Sequence, residues 1–156
     1  MSVDLAAANT LPPLSYKLFK IFARFEFALK MAGYAAMSRG KVEVAWDRFA
    51  NSAPLGPSFF DQVRQLNVCP TLLDAPPKAD LIDNGQYGFQ PHATPPGSAQ
   101  ELFGAVRRVR NNLFHGGKYF DNDKRRDRLF VREAIAILLL AAEQHPDVNF
   151  FFEGRA

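Results

Sequence analysis

The chain has 156 residues, the size of one domain, and 47% of them are hydrophobic, including fifteen Phe. This composition excludes a disordered chain and this length excludes two independent cores, so we expect a single folded domain over residues 1–156. The net charge is only +3, but residues 107–128 carry eight Lys or Arg against three Asp. Such a run fits either a local site for a polyanion or a solvated helix start.

The first predicted elements are three helices. A flexible segment over residues 1–12 precedes a long amphipathic helix over 14–38, because apolar residues recur there at spacings of three and four. These apolar positions are Leu18, Phe22, Phe25, Leu29 and Ala32. Shorter helices over 42–51 and 59–66 follow, separated by a turn that contains Pro and Gly.

Residues 67–97 differ in character from the rest of the chain. They contain six Pro and three Gly and show no sustained hydrophobic period, which predicts a long surface loop. A connection of about 30 residues without structure is uncommon inside a compact domain. The segment is therefore a functional lid, a dispensable insertion, or a region that contains short strands.

Two more helices complete the predicted fold. One begins after Ser98, an N-cap with Glu101 three residues on, and ends at the glycines 116–117. The last runs over 123–144, ends before a proline, and is followed by the segment VNFFF, which must cover the core or a partner subunit. The elements predict an all-α fold, a four- to five-helix bundle with one long Pro/Gly-rich loop at 67–97.

The compartment is predicted from three absences. The single cysteine, Cys69, excludes an internal disulfide and fits a reducing environment. The N-terminus lacks a basic stretch before an apolar run, and the most apolar segment, 129–142, falls short of the roughly 20 residues that span a bilayer. We therefore expect a cytoplasmic protein without a membrane span.

The residues that suggest chemistry are Arg110 and His115, at the end of the helix that follows Ser98. An arginine can hold a phosphate through its planar fork, and a histidine can exchange a proton with the ribose 2′-hydroxyl or with the leaving oxygen. Asn111 could bind the phosphate or orient the imidazole. On these residues alone, a helix-end histidine beside a surface ion pair explains the pattern too.

The spacing of the two residues bears on how a site would be assembled. Five residues correspond to about 140° of rotation on an ideal helix, so Arg110 and His115 do not share a helix face. A long arginine side chain, a loosened last turn, or a second subunit would be needed to bring them together. The spacing favours a dimer weakly.

The string VRNNLFHGGK resembles the signature of the HEPN superfamily, which is an Arg, a polar residue, three further positions and a His. The matching positions here are Arg110, Asn111, 112–114 and His115. The resemblance is clearest over 106–142, which includes the charged segment and the long aliphatic helix, and it extends loosely to FEFALKMAGY in the first helix.

This resemblance implies a helical bundle that forms a homodimer, with two Arg/His motifs facing each other across a cleft at the interface. It implies a metal-independent endoribonuclease that leaves a 2′,3′-cyclic phosphate and a 5′-hydroxyl. Many members are toxins of toxin–antitoxin pairs or act in defence against phage. Some carry a tyrosine that a partner nucleotidyltransferase modifies; the corresponding position here is Gly117.

Other residues have supporting roles in this interpretation. Glu26 could pair with Lys30 one turn on, or with Arg110, which is the kind of contact that the resemblance implies. Trp46 is expected in the core rather than in a base-stacking platform. Candidate RNA-binding residues are Arg107, Arg108, Lys118, Lys124, Arg125 and Arg126.

We expect neither a metal nor another cofactor, because His92, His145 and Cys69 are not spaced as ligands and both histidines read as ordinary surface residues. Two other functions stay open. The chain could be a non-catalytic HEPN-like module that binds RNA or a nucleotide. Alternatively, it could be an antitoxin-like interaction subunit that uses VNFFF and the long loop to bind the product of a neighbouring gene.

Overall fold

The structure is a computed structural model that describes residues 2–114 and 123–155. The elements within these ranges are helices and short strands. The helices are α1 (Ser15–Met31), α2 (Trp46–Ala50), α3 (Ser58–Leu66), α4 (Pro70–Asp74), α5 (Ala99–Phe114), α6 (Lys124–Gln144) and α7 (Pro146–Phe152). The strands are β1 (Ala35–Ser38), β2 (Lys41–Val44), β3 (Asp80–Asp83) and β4 (Gln86–Phe89).

The prediction of an all-α fold is wrong, because the helices are accompanied by two antiparallel hairpins. β1 pairs with β2 and β3 pairs with β4, each as a separate two-stranded sheet. The fold is therefore mixed α/β. A two-stranded hairpin is marginally stable alone, so both must depend on contacts with the helices.

The first hairpin replaces the end of one predicted helix and the start of the next. α1 ends at Met31 because Gly33 adopts a left-handed φ of 95°. The N–H of Tyr34 then donates to the carbonyl of Leu29 at 2.9 Å, a bond that closes the helix end. Arg39 and Gly40 both have positive φ, which is the turn geometry that a two-residue hairpin loop needs.

The second hairpin lies inside the predicted loop over 67–97, which is therefore not structureless. α4 occupies its beginning, and β3 and β4 meet at a turn in which Asn84 and Gly85 both have positive φ. The alternative of short strands within the segment is the correct one.

The buried residues form one hydrophobic cluster between α1, α5 and α6. The apolar stripe predicted for the first helix is confirmed at Leu18, Phe22, Phe25 and Leu29, which are buried, whereas Ala32 lies just beyond α1 and is partly buried. A similar stripe on α5 is buried too, formed by Leu102, Val106, Val109 and Leu113. Each such side chain contributes about 1.5–3 kcal/mol on burial. The VNFFF segment forms most of α7, which packs against α1 and α6 and so covers the core.

Residues 75–78, here called the strap, connect α4 to the second hairpin. Pro76 and Pro77 are buried, and the strap belongs to no helix or strand, so regular backbone pairing does not satisfy its carbonyls. Side chains of α5 and α6 satisfy them instead. Arg126 donates to the carbonyls of Ala75 and Pro76 at 2.7 and 3.1 Å, Arg108 to Pro77 at 3.1 Å, and Asn112 to Lys78 at 3.1 Å.

Glu133 is a buried carboxylate within the aliphatic part of α6. It accepts hydrogen bonds from the backbone N–H groups of Thr71 and Leu72, at 3.0 and 2.8 Å, and so holds the first turn of α4. Burial, together with the charge of Glu133, raises the pKa of the Cys69 thiol to about 12. This cysteine is a core residue rather than a reactive thiol.

The interpretation of His145 as a surface residue is wrong, because only 2% of it is exposed. Its Nδ1 accepts from the backbone N–H of Val148 at 3.4 Å, and its Nε2 lies 2.8 Å from the hydroxyl of Tyr34. Burial lowers the pKa of His145, which favours the neutral ring. Its role is to begin α7 and to join that helix to the end of α1.

Candidate functional site

Arg110 lies on the side of α5 that faces α1. Its Nη2 is 3.6 Å from Oε1 of Glu26, and its guanidinium carbon lies 4.6 Å from the centre of the Phe22 ring. Of the two partners considered for Glu26, the structure thus records Arg110. The ion pair is partly open to solvent, with the side chains of Arg110 and Glu26 exposed by 33% and 25%. The Nε atom of Arg110 is buried and has no hydrogen-bond partner among the described residues.

Arg107 lies one turn before Arg110 and is supported in a similar way. Its guanidinium carbon is 5.4 Å from the centre of the Trp46 ring, and its buried Nε lacks a hydrogen-bond partner within residues 2–114 and 123–155. Burial lowers the pKa of Arg107, the charges of Arg110 and Arg108 lower it further, and Asp47 and Glu26 oppose this effect. The guanidinium stays charged at neutral pH, since an arginine does not lose its proton in proteins.

Trp46 has the predicted place in the core, with 6% of its surface exposed. Its ring packs against Phe22, Phe25 and Phe103, at centroid distances of 5.7, 5.8 and 5.9 Å. Because Phe22 and Trp46 are both fixed by this packing, they give the two guanidinium groups a rigid support. Arg107 and Arg110 are called the groove arginines below.

The groove arginines line an open cleft of about 510 Å³ between α1 and α5, called the α1–α5 groove. Strand β2 borders it on one side and the start of β3 on the other, so both hairpins form its walls. Asn111, exposed on α5, also lines it. The structure therefore brings Arg110, Asn111, Glu26 and Arg107 to one surface. The groove also carries the carboxylates Glu43 and Asp80.

Of the other predicted RNA-binding residues that the structure describes, only Arg108 also lines the groove. Arg108 and Arg126 donate to carbonyls of the strap and are called the clamp arginines below. Arg125 is exposed on another face of α6, where it lines a smaller cleft with Arg128 and Arg132. Lys124 is exposed in the first turn of α6.

His115 lies outside the described residues, as do Lys118 and the glycines 116–117 predicted to end the helix. The described part of α5 ends at Phe114, whose ring contacts Phe19 of α1 edge to face at a centroid distance of 6.2 Å. Convergence of Arg110 with His115 therefore stays a prediction. So does the dimer in which two such motifs would meet.

Sequence reasoning missed two residues of this region. Asn112 is 95% buried and supports the strap. The sequence signal that could have identified it is its position as a polar residue next to the apolar stripe of α5. Gly104 lies in the middle of α5 and also lines the groove. A glycine within a helix costs roughly 0.5–1 kcal/mol relative to alanine, which is the signal that marks it.

The arrangement is suited to binding an anion rather than a cation. The two groove arginines rest on aromatic rings and line the cleft, and a guanidinium is a planar group with several N–H donors. Glu26 neutralises part of this charge and fixes the position of Arg110. A phosphate that approaches the groove would meet donors already in place.

The described ranges contain no group of three or more His, Cys, Asp or Glu side chains placed to hold a metal ion. Among the helices in these ranges, none combines the length and the apolar character that a bilayer span requires. A scan against models of protein families and searches of curated proteins and of solved structures found no match for this chain.

Proposed function

We propose that this protein is a metal-independent endoribonuclease of the HEPN type, with Arg110 and His115 as its catalytic residues. The observation that carries the proposal is the placement of Arg110, which is held between Glu26 and the Phe22 ring and lines the α1–α5 groove. The motif around Arg110 and His115 supports the same assignment. The groove arginines supply the positive charge that an RNA backbone needs.

The reaction needs no external nucleophile. The ribose 2′-oxygen attacks the neighbouring phosphorus. His115 accepts the proton of the 2′-hydroxyl or donates one to the leaving 5′-oxygen, and water carries the other of these two protons. The new bond closes a 2′,3′-cyclic phosphate, and the bond from phosphorus to the 5′-oxygen breaks to leave a 5′-hydroxyl. Arg110 stabilises the charge that builds on the phosphoryl oxygens, and Asn111 binds the same group or orients the imidazole.

A homodimer is part of the proposal. Arg110 and His115 are separated by about 140° on an ideal helix, while the contacts of Arg110 fix its guanidinium against α1. A second subunit can place its own His115 near Arg110, so that neither the helix geometry nor the contacts of Arg110 need to change. Sedimentation at several protein concentrations, with the rate of cleavage measured at each, will show whether activity depends on the dimer.

The direct test is incubation of the purified protein with RNA in the presence of EDTA. We expect fragments ending in a 2′,3′-cyclic phosphate, identified by mass spectrometry, and loss of cleavage in both Arg110→Ala and His115→Ala. Arg64→Ala is the matched control, since Arg64 is an exposed arginine on α3, away from the groove. Uncut RNA, or cleavage that persists in His115→Ala, rejects the proposal.

The non-catalytic alternative makes a different prediction in the same experiment. A module that only binds RNA would retain salt-dependent binding in the α1–α5 groove and form no fragments. Binding that is lost in Arg110→Ala, with no products from the unaltered protein, would favour this second function. A toxin or phage-defence role would then have to act without cleavage.

A further inference from the structure

A second cleft of about 670 Å³ adjoins the α1–α5 groove across α5. The two clefts share residues of α5 and the residue just before β3. The shared residues are Ala79, Gly104, Arg107 and Arg108. On its far side the second cleft is lined by His92, Thr94 and Gln100, which belong to the segment between β4 and α5 and to α5 itself. The two clefts therefore lie side by side at the shared residues and are together called the passage below.

Gly104 lies at the junction of the two clefts. A Cβ atom built at this position would meet only Nη2 of Arg107, at 3.9 Å, which is ordinary van der Waals contact. The packing of α5 therefore does not require a glycine here. What the missing side chain provides is an open path over the helix, obtained at the usual cost of a glycine in a helix interior.

Arg107 stands beside the same junction. It is held on the Trp46 ring, it has an unpaired Nε among the described residues, and it is close enough to Arg110 for the two charges to repel. A second anion next to Arg107 would relieve this repulsion. Carboxylates also line both clefts, and they repel a phosphate. A phosphate is therefore favoured only beside the arginines.

We propose that the passage binds a single RNA strand through two successive phosphates, one at Arg110 and the next at Arg107, with the following nucleotide in the second cleft beside His92. The inference rests on the proposed function and extends it to the path of the substrate. Each cleft has the volume of a small-molecule site, which suits one unpaired nucleotide and not a duplex. The carboxylates face the parts of the strand that carry hydrogen-bond donors, which are base amino groups and ribose hydroxyls.

Binding is tested with an oligonucleotide of about eight 2′-O-methyl nucleotides, which has no free 2′-hydroxyl and cannot be cleaved by this chemistry. Fluorescence anisotropy at several salt concentrations gives the affinity and its salt dependence. Arg107→Ala should reduce the slope of log K against log salt by about 0.7, the value for one phosphate contact on a single strand. Arg64→Ala, the exposed control on α3, should leave the slope unchanged.

Gly104 gives an independent test of the path. Gly104→Leu should close the passage and weaken binding about tenfold, as expected for the loss of one bound nucleotide. Gly104→Ala should fold, because its Cβ has room within the protein, and its smaller side chain should weaken binding less than that of Gly104→Leu. Circular dichroism and thermal unfolding check that both variants fold; if Gly104→Leu does not fold, the salt slope of Arg107→Ala decides.

The possible outcomes separate the two proposals. If Gly104→Leu folds and binds normally, or if Arg107→Ala keeps the full salt slope, the strand does not cross α5 and the inference is overturned, even where ordinary RNA is cleaved. If Gly104→Leu weakens binding and Arg107→Ala reduces the salt slope, but ordinary RNA stays intact, the binding path stands and the nuclease assignment fails.

Discussion

The groove arginines and the clamp arginines come from the same basic segment but use their guanidinium groups differently. Arg107 and Arg110 rest on aromatic rings and present donors to an open groove. Arg108 and Arg126 donate to backbone carbonyls of the strap, 31 to 51 residues away in sequence. Arg108 also lines the groove, but both clamp arginines use guanidinium donors to hold the backbone of the protein itself.

The difference shows that a basic run need not be a single binding surface. Arg107 and Arg108 are adjacent in sequence, but α5 turns by about 100° between them, so Arg107 packs on the Trp46 ring while Arg108 reaches the carbonyl of Pro77. The strap leads into β3, which forms one wall of the groove. The clamp arginines therefore shape the site indirectly, by fixing the backbone that borders it.

The largest expected effect is on cleavage in Arg110→Ala. Loss of a group that stabilises the transition-state charge should reduce the rate about 10²–10³-fold. The free energy of unfolding should change by about 1 kcal/mol or less, because the pair with Glu26 is partly exposed. Single-turnover cleavage and urea unfolding give the two quantities. A variant that cleaves at the normal rate would contradict the division between the two pairs.

The reverse result is expected for Arg126→Ala. Two carbonyls of the strap lose a charge-assisted donor, so the free energy of unfolding should fall by about 1.5–3 kcal/mol while cleavage persists. Urea unfolding followed by circular dichroism measures this. Arg125→Ala is the matched control on the same helix turn and should change stability by about 0.5 kcal/mol at most. Equal losses in the two variants would mean that the strap contacts do not stabilise the fold.

A smaller effect is expected for Asn112→Ala. Its buried amide donates to the carbonyl of Lys78, and loss of that bond should reduce the free energy of unfolding by about 1–2 kcal/mol. Because Asn112 and Arg108 hold neighbouring carbonyls of one strap, the double variant should deviate from additivity by about 0.5 kcal/mol or more. Asn111→Ala, an exposed neighbour, serves as the control. Strict additivity would show that the strap is not held as a unit.

The helices with a clear apolar period could be predicted from the sequence. The start of α1 follows from apolar spacings of three and four, and α3 and α6 follow from the proline and turn signals that bound them. The predicted cap of α5 is confirmed by the hydrogen bond from the N–H of Glu101 to Oγ of Ser98, 3.2 Å long. Periodicity succeeds here because burial of one helix face dominates the energy of these segments.

The hairpins were missed because their signal is confined to their turns. Asn84-Gly85, flanked by Ile82 and Tyr87, is a strong hairpin signal, but it lies within a proline-rich segment that otherwise resembles a loop. At the first hairpin, Arg39 adopts the left-handed conformation that glycine or asparagine usually supplies. The alanines and methionine of β1 also favour a helix, so Gly33 was the only residue that marked the end of α1.

The candidate site was predicted only in part. The pairing of Glu26 with Arg110 was one of two alternatives, since both residues stand at the edges of apolar stripes that must face each other. The sequence assigned Arg108 and Arg126 to RNA binding, and their hydrogen bonds to the strap could not be predicted from it. Their partners are main-chain carbonyls, which have no side-chain signature, and only the fold brings them into reach.

Glu26→Gln should give the smallest effect and shows how finely Arg110 must be held. The substitution removes a negative charge beside the phosphate site and keeps the side chain nearly the same shape. RNA should bind more tightly, lowering KM, while a less firmly oriented Arg110 should lower kcat about two- to fivefold. A purely structural role for Glu26 would not shift the two constants in this way, because partial unfolding reduces activity without tightening binding.

The matched variant is Glu43→Gln, which removes another carboxylate of the α1–α5 groove, one that lies on β2. It should lower KM in the same direction, since it makes the groove less negative, but it should not reduce kcat as Glu26→Gln does. Steady-state cleavage at low salt measures both constants, because screening hides a single charge at high salt. If both variants lower kcat alike, the charge of the groove matters to the reaction more than the position of one arginine. If only Glu26→Gln does, the ion pair with Glu26 distinguishes Arg110 from the other arginines of the segment.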